Sequence, residues 1–226
     1  VSAVYSSDDT AAALEEGKKA LRAGQNDEAV EIFARLIATK PEGQVYYLRG
    51  LAYSGQGNHR AAIQDYDNAI SLEPDRAPYY FRRGISLLKL GQHGEATDDF
   101  TVVSKLEPLN AHALAFRAKS LFSQGQIERA LDDITSAIRN IPGNPALFKL
   151  KADLLSAAGH YAEAVNDYNR AVELGGTDAT TFNNRGVALA NLGKTREAVE
   201  DLNRAMEAAL SSPSPSQLPG VSGSPW

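Results

Sequence analysis

The side chains with the most chemical potential in this chain are acids set side by side. Asp98–Asp99 and Asp132–Asp133 are adjacent carboxylates, the raw material of general acid–base work or of a cation site. Adjacent residues of a helix point about 100° apart, however, so a helical doublet does not aim both carboxylates at one reacting atom. The histidines His59, His93, His112 and His160 never fall at metal-ligand spacing, and all but His112 lie where turns are expected. They read as surface residues. Neither an HExxH pair nor a Walker loop is present. GVSGS at 220–224 has a passing likeness to a nucleophile elbow, but no strand precedes it. Cysteine is absent, which excludes disulfides, thiolate metal sites and thiol nucleophiles. The expectation is a protein that is not an enzyme, with no metal and no cofactor.

One charged pattern is regular. Arg49, Arg83, Arg117, Lys151 and Arg185 are each followed sixteen residues later by an acid: Asp65, Asp99, Asp133, Asp167 and Asp201. Two elements that fold back on each other would bring these partners together as ion pairs. An exposed pair contributes roughly 0–1 kcal/mol, whereas breaking a desolvated one costs about 3–5 kcal/mol. The pairing is therefore read as structural, with contact to a ligand as the alternative.

The elements that must position these residues recur on one beat. Glycine is followed five residues later by alanine at Gly24/Ala29, Gly57/Ala62, Gly91/Ala96, Gly125/Ala130, Gly159/Ala164 and Gly193/Ala198, at steps of 33 and then 34 residues. Self-similarity at such a period marks a stacked repeat array rather than one closed core. The units run over 10–42, 43–76, 77–110, 111–144, 145–178 and 179–210, after a lead-in at 1–9. In each, a first apolar-periodic segment, a glycine turn and a second amphipathic segment read as a helical hairpin. Pro41, Pro74, Pro108 and Pro142 follow the second segments, where proline ends a helix. Asp75, Asn110, Asn144 and Asp178 stand as expected N-caps. Small residues at the eighth place (Gly17, Gly50, Gly84, Ala118, Ala152, Gly186) let the paired backbones approach. Large ones at the twenty-fourth (Phe33, Tyr66, Phe100, Ile134, Tyr168, Leu202) are expected to fill the space between hairpins. No hairpin buries its stripe alone, and stacking does so.

These residues resemble the tetratricopeptide repeat: a small residue at place 8, alanine at 20, a bulky residue at 24, a small one at 27 and proline at 32. Departures are Leu36 and Val103 at place 27, and Gly176 and Leu210 in place of the proline. The resemblance implies an all-α, right-handed superhelical solenoid of six antiparallel helix pairs, acting as a protein–protein interaction scaffold of the adaptor or co-chaperone kind. It also implies that the first helices line the inner wall. On this sequence that wall holds Tyr47, Leu51, Phe81, Arg82, Ile85, Lys89, Lys119, Phe122, Lys149, Asp153 and Asn183, with Lys18, Arg22, Leu88, His112, Val187 and Asn191 in related places. An apolar, aromatic patch bordered by cations is expected to take a peptide with apolar anchors and acidic residues. The family's carboxylate clamp for chaperone tails needs Lys and Asn on one first helix, Asn on the next, and Lys with Arg on the third. No three consecutive units supply that set.

The net charge of −5 argues against a nucleic-acid partner. No apolar run approaches the roughly 20 residues that span a bilayer, so no membrane insertion is expected. The chain opens on Val1 and its only methionine is Met206, so it has been processed or cut from something longer. A cytoplasmic protein is the first expectation, and one exported after signal removal the second. The last repeat ends MEAAL, leaving Met206, Ala209 and Leu210 facing a missing neighbour, and a Ser/Pro/Gly-rich flexible tail follows at 211–226. Leu218, Val221 and Trp226 of that tail offer one cover for the open end. A homo-oligomer packed through this end is the alternative to the peptide scaffold.

Overall fold

The structure, a computed structural model, describes residues 7–211. The tail with GVSGS, Leu218, Val221 and Trp226 lies outside the described residues. Twelve α-helices and no strand are found among them. The hairpins are α1 (Ser7–Arg22) with α2 (Asn26–Thr39), α3 (Gly43–Gly55) with α4 (His59–Leu72), α5 (Ala77–Lys89) with α6 (His93–Leu106), α7 (Ala111–Ser123) with α8 (Ile127–Asn140), α9 (Pro145–Ala157) with α10 (Tyr161–Glu173), and α11 (Ala179–Asn191) with α12 (Thr195–Ser211). They divide into two compact units, one through Pro108 and one from Leu109, of three hairpins each. α1 takes in Ser7–Asp9, which the repeat spacing leaves to the lead-in.

Local chemistry sets the helix ends. The turn glycines Gly24, Gly57, Gly91, Gly125, Gly159 and Gly193 all adopt left-handed backbone, with φ from 72° to 84°. A β-carbon there crowds the following carbonyl. In the fourth hairpin the turn closes with Gln126 N–H donating to Leu121 O at 2.9 Å, a bond that satisfies an end carbonyl of α7. The second helices stop when their cap N–H closes a last turn, as Glu107 does onto Val103 O at 2.7 Å, and a proline without an N–H comes next. α10 stops differently: Gly175, at φ 91°, ends it one residue short of its counterparts where the proline is missing.

Asn110, Asn144 and Asp178 accept from the first-turn N–H groups of α7, α9 and α11. Asp75 is not a cap. α5 begins at Ala77 with Pro78 in its first turn, so Arg76 occupies the cap position and supplies no side-chain bond. Asp75 stands one place too early in the register.

In the first unit the core forms where place 8 meets place 24. A β-carbon on Gly17 would sit 2.6 Å from the Phe33 ring, and one on Gly50 would sit 2.6 Å from the Tyr66 ring. The alanines at place 20 are buried, as are Leu36 and Val103, so a larger residue at place 27 is absorbed inside the stack. In the second unit Ala118, Ile134, Leu121 and Leu147 form one apolar cluster and Ala152, Tyr168 and Leu189 belong to another. Leu202 departs from expectation. It is 39% exposed, because no further hairpin packs on α12 among the described residues.

Candidate functional site

Within each unit the first helices touch one another, α1 with α3 and α3 with α5, then α7 with α9 and α9 with α11. The second helices of a unit do not approach one another as closely. Each unit is therefore tighter along its first helices, which makes their free side an inner face.

The inner face of the first unit carries Tyr47, Leu51, Phe81, Arg82 and Ile85, all half-buried, and the exposed Lys89. Its rings are braced from beneath. Tyr47 lies 4.9 Å from Tyr79 and 6.0 Å from Tyr66 between ring centroids, and Phe81 meets Phe100 edge-on at 5.9 Å. Such pairs contribute about 0.5–1.5 kcal/mol beyond burial, so these half-buried aromatics are held rigidly. Burial, and then the charge of Lys89, lower the pKa of His59, which leaves that ring neutral near pH 7.

The second unit presents Lys119 and Asn183, both exposed, with Phe122, Lys149 and Asp153 half-buried. Phe122 packs on the cluster around Leu121 and Ile134. Lys149 reaches toward the capping carboxylate of Asp178 at 3.8 Å. Asp153 is held from two sides: Tyr168 Oη donates to its Oδ1 at 2.6 Å and Asn184 Nδ2 to the same oxygen at 3.0 Å. Burial first, and then the bond to this carboxylate, raise the pKa of Tyr168 well above the tyrosine range, so it remains a donor. Sequence reasoning chose Asn183 for this wall. Asn184, one residue on, is the amide that contacts Asp153, and Asn183 binds only Asn184, at 3.1 Å.

The charge pairs form a separate column between the helices of each hairpin. Arg49–Asp65, Arg83–Asp99, Arg117–Asp133 and Arg185–Asp201 are bidentate, with every bond between 2.6 and 2.9 Å. Lys151 makes a single contact with Asp167 at 2.9 Å. The guanidinium groups of Arg49, Arg83 and Arg185 also lie over Tyr46, Tyr80 and Phe182, at 5.8, 5.6 and 5.6 Å. Hydrogen bonds donated to the paired carboxylates raise the pKa of Arg49, Arg83 and Arg117. For Asp99 burial is the larger influence, raising its pKa against the opposing bonds from Arg83. In the arginine pairs both carboxylate oxygens are engaged within the hairpin. Arg83 also bonds Asp67, and Arg185 bonds Asn169 at 2.8 Å, each on the preceding hairpin.

No three His, Asp or Glu gather as a metal site among the described residues, and no described helix is long and apolar enough to cross a membrane. Family models described as tetratricopeptide repeat match residues 43–76, 81–145 and 179–211, and one described as TPR repeat matches 152–193. The chain belongs to the tetratricopeptide repeat family. Among solved structures, Pseudomonas aeruginosa pilF is 17% identical, with 90% of this chain and 93% of that one covered at a TM-score of 0.74. MamA 41-end from Desulfovibrio magneticus RS-1 is 19% identical, with 76% and 97% covered at 0.70. YrrB, titled a TPR protein with an unusual peptide-binding site, is 21% identical, with 81% and 95% covered at 0.65. At these identities the likeness establishes the fold.

Proposed function

We propose that this tetratricopeptide repeat protein is a non-enzymatic scaffold that binds a peptide segment of a partner along its inner faces. The partner segment carries apolar anchors and acidic residues. The observation that carries this reading is the bracing of Tyr47 and Phe81: rings held by Tyr79, Tyr66 and Phe100 yet only half-buried offer contact area at little entropic cost. Leu51 and Ile85 continue that apolar surface, and Arg82 and Lys89 flank it. Phe122, Lys119 and Lys149 give the second unit the same pairing of ring and cation. The cations steer and orient the segment more than they hold it.

The test is a peptide selected from a displayed random library against the full chain. Binding of that peptide to Lys119→Glu/Lys149→Glu is expected to weaken at least tenfold and to lose much of its salt dependence. Unchanged affinity removes the reading.

One observation favours a second reading, self-association through the last helix. Val199, Leu202, Met206 and Leu210 of α12 form an exposed stripe, with Met206 63% and Leu210 86% accessible. Sedimentation over a hundredfold concentration range decides it. A chain that stays monomeric throughout rules out this mode.

A further inference from the structure

Between α9, α10 and α11, on the inner face of the second unit, lies a cleft of about 320 Å³. That is near the lower bound for ligand pockets, roughly 300 Å³, and suits one side chain rather than a whole ligand. Its lining includes Ala157, Tyr161 and Val187, with the Asp153 carboxylate, Tyr168 and Asn184 at its polar end. Oδ1 of Asp153 accepts the two bonds that orient the group, and Oδ2 accepts none among the described residues. Asn191 Nδ2 donates to Val187 O at 2.9 Å, which leaves its Oδ1 as a second unclaimed acceptor at the cleft. No lysine or arginine lines the cleft.

A fixed carboxylate with one open oxygen, beside apolar walls and a tyrosine ring, is the complement of a cation on an aliphatic stem. The guanidinium group matches it better than ammonium does. It is planar, weakly hydrated and stacks on aromatic faces while binding a carboxylate. We infer that this cleft is a specificity pocket for an arginine side chain of the bound peptide, placed by Asp153 and stacked against Tyr161. The inference rests on the inner faces being the peptide site. It adds a basic residue to a partner otherwise expected to be acidic, at a point of the wall where the cleft itself holds a carboxylate and no cation.

The experiment titrates the full chain with N-acetyl-arginine amide and, separately, with its uncharged isostere N-acetyl-citrulline amide. The side-chain amide signals of Asn184 and Asn191 are followed by NMR. The arginine probe is expected to saturate these signals in the low millimolar range, with citrulline at least tenfold weaker. Asp153→Asn should bring arginine down to the citrulline level. Ala157→Trp, which fills the cleft, should abolish both responses and decides the matter if Asp153→Asn fails to fold. Equal binding of the two probes, wild-type binding by either folded variant, or shifts confined to other residues overturns the pocket. The two readings fail separately. Arginine-specific binding beside a library peptide indifferent to Lys119→Glu/Lys149→Glu keeps the pocket and removes the wider groove. The reverse pattern removes the pocket alone.

Discussion

Arg83 on α5 donates from Nη1 to Asp67 on α4 at 2.5 Å, tying one hairpin to the one before it. The same guanidinium holds Asp99 of its own hairpin through Nε at 2.9 Å and Nη2 at 2.6 Å. An intrahairpin pair is thereby also a link in the stack. The two carboxylates differ in burial, with Asp99 only 5% and Asp67 52% accessible.

Removal of Arg83 is therefore expected to be expensive, and removal of Asp67 cheap. Arg83→Ala strands a buried charge and should cost about 3–5 kcal/mol. Asp67→Ala breaks a half-exposed contact and should cost less than about 1 kcal/mol. Burial already favours the neutral form of Asp99, so the cost of Arg83→Ala should shrink on acidification as Asp99 takes up a proton. Urea unfolding of both variants at neutral and acid pH checks this. Equal costs for the two substitutions would mean that Asp99 is not the buried partner.

Two tyrosines at place 24 should respond in opposite directions to the loss of a hydroxyl. The Tyr66 hydroxyl is buried and unpartnered, with Ser54 close by but without a bond of normal geometry. Its hairpin has Leu51 at place 9. Tyr168 faces Asp153 at that place and donates to it at 2.6 Å. Tyr66→Phe should raise stability by about 1 kcal/mol, since it deletes an unsatisfied buried group. Tyr168→Phe should lower it by about 1.5–3 kcal/mol through loss of a bond to a charge. Denaturant midpoints with unchanged slopes give both values.

Glycine to alanine is expected to fail for two distinct reasons. A β-carbon at Gly84 would lie 2.9 Å from the Phe100 ring, so Gly84→Ala should cost about 1–3 kcal/mol by overpacking. At Gly125 the space is open but φ is 75°, and Gly125→Ala should cost about 1–2 kcal/mol in backbone strain. Phe100→Ile, which copies the Ala118 and Ile134 combination already in the chain, should relieve the first and leave the second untouched. A double-mutant cycle for each pair measures this coupling.

What was legible in the sequence is what the repeat enforces locally. The turn glycines, the prolines after second helices and the sixteen-residue spacing of Arg49 to Asp65 each follow from one hairpin's geometry. What was not legible depends on a neighbour. Arg83 reaches Asp67, and Arg185 reaches Asn169, only because the preceding hairpin carries a short acceptor at place 25. Leu202 occupies a packing place yet stays exposed for want of a hairpin beyond it. At the candidate site, place number points to Asn183 but does not reveal Asn184's bond to Asp153, which depends on how α11 is rotated against α9. Tyr168 read as filling alone, and nothing in its own repeat signals a second role except the aspartate at place 9.

Asp178 joins the cap of α11 to the inner face, and its titration should be visible in stability. Burial would raise its pKa, but bonds from Thr180, Thr181 and the Thr181 N–H, with the charge of Lys149, outweigh it and hold the pKa at about 2, below the ordinary 3.8. A depressed carboxylate adds stability that is fully present above its unfolded pKa and is lost as pH falls through the folded value. The side chain is 54% accessible, so screening keeps the charge contribution small and most of the effect belongs to the cap. Asp178→Ala should cost about 1 kcal/mol at pH 7. The gap between wild type and variant should hold steady down to about pH 4 and narrow from there toward about pH 2. Asp178→Asn keeps a cap without the charge, and should lie between the two at pH 7 with a flatter profile. Thermal unfolding of the three proteins across this range tests the assignment, and a gap that is constant to pH 2 would place the carboxylate outside the cap.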